Sequence, residues 1–172
     1  MRKWLTIFAS IIVVITFVVI TSIFLRMWRV PYVQIEVLGI SHSAIHWIGW
    51  IGAIYLAFAT PFYPIIKRKF PLHLNKILNI HVLGNLLGIL LVSIHFANHL
   101  TRPASSYPDL GTGLVLQITM IFLLTTGWMM VTGIGRKIYK KILFLHPAYA
   151  VAFYTVIFIH ILQDLILITP FT

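Results

Sequence analysis

The sequence predicts an all-α integral membrane protein with five transmembrane helices, and three observations lead there. Of its 172 residues, 60% are hydrophobic and only 9% are charged, too little polar material to wrap a soluble core of this size. Five apolar runs are each long enough to cross about 30 Å of hydrocarbon, which takes roughly 20 helical residues. The thirteen Lys and Arg residues gather at the flanks of those runs and in the connections between them.

The first run extends from Trp4 to Leu25. Arg2 and Lys3 precede it as they would a signal peptide, but its uncharged stretch exceeds the usual core of about 7 to 15 residues, so a retained anchor is expected. Its threonines at positions 6, 16 and 21 can return their hydroxyls to preceding carbonyls, which leaves an aliphatic face for lipid or a partner helix. A connection from Arg29 to Ser43, containing Pro31, leads to the second run, His46 to Ile66. Residues 67 to 76, with Pro71, lead to the third, Ile77 to Leu100. Residues 101 to 113, with Pro103 and Pro108, lead to the fourth, Leu114 to Ile134, and residues 135 to 141 to the fifth, Ile142 to Ile168. No connection is large enough for a separate domain. The organisation expected is an anchor helix with its external connection over residues 1–43 and a four-helix core over 44–172.

Charge sets the expected orientation. Arg2, Lys3, Lys67, Arg68, Lys69, Lys76, Arg136, Lys137, Lys140 and Lys141 fall on one side of a five-span topology. Arg26, Arg29 and Arg102 fall on the other, with all three acids, Glu36, Asp109 and Asp164. The positive-inside rule then places the N-terminus in the cytoplasm and the C-terminus outside a plasma membrane. The net charge of +10 is expected to meet anionic lipid headgroups, and nucleic acid is not the expected partner. Trp4, Trp28, Trp47 and Trp50 suit interfacial belts.

The chain has no cysteine, which excludes disulfides, thioether haem attachment and cysteine-ligated iron–sulfur clusters. Any redox metal must therefore be held by histidine or another non-thiol ligand. His81 and His95 lie fourteen residues apart in the third run, and His146 and His160 lie fourteen apart in the fifth. Fourteen helical residues make just under four turns and rise about 21 Å, so both imidazoles of a pair share nearly one face at two depths. In the five-span topology both helices run outward, which puts His81 level with His146 and His95 level with His160. Neutral imidazoles from facing helices supply two axial ligands per haem without adding charge to the bilayer interior. The core is therefore expected to be a four-helix bundle with two haems. The competing reading is histidines that bond across helices or line a proton or metal-ion path.

His99 lies eighteen residues from His81, which spoils the match to the fifth run, so His95 is preferred as ligand; His42, His46 and His73 lack a partner at the required spacing. Gly113 and Gly127 are also fourteen apart, where close backbone approach to a macrocycle would be needed. Gly84 and Gly88 follow His81, and Gly49 and Gly52 lie in the second run; taken alone, such glycines are ordinary packing positions. His99, Asp164, His42 and His46 fall near one expected depth on the outer side. They form either a quinone or small-oxidant site or a solvated set of helix-end residues.

The segments HVLGNLLGILLVSIH (81–95) and HPAYAVAFYTVIFIH (146–160), with one helix between them, resemble those of the di-haem four-helix cytochromes b. These include the ferric-reductase-like transmembrane domain and the amino-terminal half of quinol-oxidising cytochrome b. The resemblance covers about residues 44 to 168. It implies two b-type haems stacked across the membrane, with His81, His95, His146 and His160 as axial ligands and Gly84, Gly113 and Gly127 near the cofactors. The glycine pair of the first core helix is represented here by Gly49 alone. Lys76, Arg136 and Lys137 on the inner side, and Arg29 and Arg102 on the outer side, are candidates for the anionic propionates. The implied activity is transmembrane electron transfer between a quinone pool or cytoplasmic donor and an acceptor on the opposite face, by an electron-transfer cytochrome or the membrane subunit of an oxidoreductase. The sequence ends at Thr172, so a separate redox subunit is an expected partner, and a noncatalytic anchor subunit of a respiratory complex is the alternative. An oligomer is compatible with the sequence, in which no interface motif decides it.

Overall fold

A computed structural model describes residues 3–27, 32–37, 39–101 and 111–168, with the side chains of residues 40 and 164–168 left aside. Its helices are α1 (Lys3–Phe24), α2 (Ala44–Lys69), α3 (Leu74–Leu100), α4 (Gly111–Thr132) and α5 (Tyr139–Ile168), and all five are long and apolar enough to cross a membrane. Each expected run is found within a few residues of its expected ends. The chain divides into two compact units, Met1–Tyr107 and Pro108–Thr172.

In the first unit, α1 presents apolar side chains outward, among them Val14, Phe17 and Val18. Such a face is stable in hydrocarbon and costly in water. The helix ends with Arg26 at a φ of 56°, a left-handed cap that ordinarily selects glycine. The connection before α2 folds into a hairpin that the sequence reading missed: strand β1 (Gln34–Val37) pairs antiparallel with β2 (Ile40–Ser43), from Gln34↔Ser43 to Val37↔Ile40. Gly39, with φ 81°, supplies the positive dihedral that a two-residue turn requires. Four-residue strands with every described residue of β1 exposed carry too little alternation to be read from sequence. The Trp47 indole ties the hairpin to α2 by donating to the Ile35 carbonyl at 3.0 Å. Ser43 caps α2, its hydroxyl accepting from the His46 N–H at 3.3 Å.

Helices α2 and α3 run antiparallel and pack through small residues. A Cβ at Gly52 would lie 2.8 Å from the Gly88 carbonyl oxygen, and one at Gly88 would lie 2.9 Å from Leu56 Cγ. Glycine is needed there because the backbones meet directly. Gly84 receives the Tyr55 ring, whose hydroxyl donates to the Ile80 carbonyl at 3.4 Å. Pro61 and Pro64 lie within α2. They remove two helical N–H donors, a loss that membrane helices tolerate where neighbouring groups satisfy the freed carbonyls.

In the second unit, α4 and α5 pair antiparallel around Leu116, Met120, Phe153 and Ile157, all buried. Phe122 stacks on Tyr149 with ring centroids 4.9 Å apart and planes 11° apart. Pro147 directly follows His146 inside α5.

Candidate functional site

Each of the four expected histidines sits on a long apolar helix, and the helix packed against it follows the same fourteen-residue register. On α2, position 49 backs His95 and position 63 backs His81. A Cβ at Gly49 would stand 2.6 Å from His95 Cγ, so only glycine lets that ring press onto the backbone. Fourteen residues on, Tyr63 occupies the place of a second glycine and stacks its ring on His81, centroids 3.9 Å apart and planes 21° apart.

The second unit repeats the arrangement with glycine at both levels. A Cβ at Gly127 would lie 3.2 Å from His146 Cε1, and one at Gly113 would lie 3.8 Å from His160 Cε1. Each glycine follows a threonine whose hydroxyl meets the same histidine: Thr126 Oγ1 lies 2.9 Å from His146 Nδ1, and Thr112 Oγ1 lies 3.0 Å from His160 Nδ1. The sequence reading noted the glycines and missed the threonines, although Thr112 and Thr126 share the same spacing.

Helix α3 places a polar neighbour four residues after each of its histidines, one turn along the same face. Asn85 Nδ2 lies 3.2 Å from His81 Nδ1, while the buried Asn85 Oδ1 has no hydrogen-bond partner among the described residues. His99 takes the corresponding place beside His95, ring centroids 4.4 Å apart.

At that end of α3, His46 of α2 joins His95 and His99, their nearest ligand nitrogens all within 4.8 Å of one another and all three residues half-buried. Three imidazoles form a donor set for zinc or another d-block ion. A tetrahedral zinc site needs nitrogens about 3.3 Å apart, so the rings would have to close further. The Trp50 indole donates to His46 Nε2 at 2.8 Å, so an ion must displace the indole from that nitrogen or take Nδ1. The sequence reading placed His42, His46 and His99 at one depth; the structure brings His46 and His99 onto His95, and His42 onto His46 at 4.2 Å between centroids.

The remaining expected positions are dispersed. Lys76 lies in the first turn of α3, and Arg136 and Lys137 lie in a short 3-10 turn before α5. Arg102, Arg29 and Asp109 lie outside the described residues, as does the side chain of Asp164.

Each of the four histidines would suit a haem iron as a nitrogen donor. The set consists of neutral-capable imidazoles on apolar helices, with no thiolate in the chain. Two of the rings, His95 and His146, press against glycine, and Thr126 and Thr112 meet the Nδ1 edges of His146 and His160. No family model, curated protein or solved structure matches this chain.

Proposed function

We propose that the protein carries electrons across a membrane through two b-type haems ligated by His81, His95, His146 and His160. The matched spacing within each helix, together with the expected five-span topology, is the ground for pairing His81 with His146 and His95 with His160. The observation that carries this reading is the shared register: Gly49 and Tyr63 back the histidines of α3, and Gly113 and Gly127 back those of α5. Haem iron, when bound, supplies one-electron ferric–ferrous cycling at a potential set by its ligands and their surroundings. The histidines offer ligand nitrogens without net charge, Gly49 and Gly127 seat the rings of His95 and His146, and the apolar helices exclude water. The N-terminus is cytoplasmic, and lipid, a quinone and a separate redox subunit are the partners. Lys76, Arg136 and Lys137 are candidates for contact with anionic propionates.

A pyridine haemochrome assay on the purified chain, expressed with ample haem, is expected to give two haems b per chain. Reduced-minus-oxidised spectra should show about half that haem when any one of the four ligands is changed to alanine. Absence of stoichiometric haem in the unmodified chain overturns the reading.

The His46–His95–His99 group favours a second reading, in which histidines carry a metal ion. It competes directly, because His95 is needed by both. His46→Ala should remove bound zinc and leave haem intact if haem ligation is the native role of His95. Stoichiometric metal in a haem-free chain, lost in His46→Ala, would favour metal-ion transport.

A further inference from the structure

We infer that Thr126 and Thr112 of α4 are positioning residues that fix the protonation pattern of His146 and His160, leaving each Nε2 with the lone pair an iron requires. The inference rests on the haem reading and extends it to residues that glycine spacing alone does not mark.

The argument is one of proton accounting. A threonine hydroxyl has a single proton to donate. Thr126 gives it to the Phe122 carbonyl at 2.7 Å, with the Leu123 carbonyl at 3.2 Å, and carbonyl oxygens can only accept. With that proton on the Phe122 carbonyl, the 2.9 Å contact between Thr126 Oγ1 and His146 Nδ1 runs from histidine N–H to threonine oxygen, the direction this inference takes. A neutral imidazole carries one N–H, so Nε2 of His146 holds a lone pair. At the second level Thr112 Oγ1 lies 2.9 Å from Gln163 Oε1 and 3.0 Å from His160 Nδ1; with the Gln163 amide oxygen facing it, Thr112 donates there and accepts from His160.

Satisfying the threonine does not itself call for a histidine. Thr119 and Thr125 on the same helix return their protons to the Val115 and Ile121 carbonyls. Thr126 makes that bond and still meets His146. In the first unit the His46 Nε2 lone pair is instead already engaged, since it accepts the Trp50 N–H. A ligand histidine needs its distal N–H held to fix ring orientation and raise basicity; here threonine oxygen performs that task at both levels.

The test uses the holoprotein. Thr126→Val and Thr112→Val keep the shape of the side chain and remove the acceptor. Each is expected to raise the midpoint potential of one haem, a different one in each variant, because a less basic imidazole stabilises ferric iron less. Haem should also dissociate about 10- to 100-fold more readily, the usual consequence of losing such a partner. Thr126→Ser and Thr112→Ser keep the oxygen and should restore the unmodified potential and the low-spin electron paramagnetic resonance signal. If the unmodified chain binds two haems and the valine variants leave both potentials and both signals unchanged, this inference is overturned while the haem reading stands. If the unmodified chain binds no haem, both fall.

Discussion

Adding one methyl group at each of Gly113, Gly127 and Gly49 should give a graded response, because the clearance available to the new Cβ falls from 3.8 to 3.2 to 2.6 Å against His160, His146 and His95 respectively. Ordinary contact begins at 3.4 Å. Gly113→Ala therefore displaces nothing, whereas Gly127→Ala asks the His146 ring to retreat about 0.2 Å and Gly49→Ala asks the His95 ring to retreat about 0.8 Å, taking a tolerance of about 0.5 Å for a ligand constellation. His95 cannot swing clear, since its Cβ and Nδ1 would both lie 2.9 Å from the added atom. Alanine also favours a helix by about 1 kcal/mol over glycine, and overpacking costs about 1 to 3 kcal/mol. The expected net effects are slight stabilisation at Gly113, near balance at Gly127, and a loss of up to about 2 kcal/mol at Gly49. Unfolding in detergent would measure the stability order, and haemochrome content with redox titration the ligand geometry. Only Gly49→Ala should lose about half the haem. Equal responses at Gly113 and Gly49 would refute the reasoning, because they would show that these rings do not bear on their glycines as described.

Three further outcomes follow from other contacts. Tyr63→Leu removes the ring stacked on His81 and should cost about 0.5 to 1.5 kcal/mol while shifting the potential of one haem, read by unfolding and by redox titration; an unchanged potential would place Tyr63 outside the cofactor's surroundings. Arg26→Gly relieves the left-handed conformation after α1 and should stabilise by about 1 kcal/mol, whereas Arg26→Val should destabilise; the reverse order in thermal unfolding would rule out that strain. His99→Ala and Asp164→Asn should slow quinol-linked haem reduction if the outer polar group handles protons, and unchanged rates with both replaced would reduce these residues to helix-end solvation.

The five helices were legible because span length and hydropathy are local properties of the chain, as the match between Ile77 to Leu100 and α3 illustrates. The hairpin before α2 was not legible. Its strands hold together through pairing of Gln34 with Ser43 and the reach of Trp47 to the Ile35 carbonyl, contacts without a local signature. The threonines at 112 and 126 carried a signal in their spacing, but threonine is common in membrane helices as a donor to its own backbone, which Thr119 and Thr125 are.

By itself the sequence determined five membrane-length helices, the faces on which His81, His95, His146 and His160 stand, and the exclusion of thiolate chemistry. Only the tertiary structure decided what meets each ring: Gly49 at His95, Tyr63 at His81, Thr126 with Gly127 at His146, and the approach of His46 to His95 and His99. Periodicity within a helix fixes which residues share a face. The offset between two antiparallel helices is set by where small side chains such as Gly52 and Gly88 let the backbones close, and that offset selects which residue of one helix stands opposite a given histidine of the other.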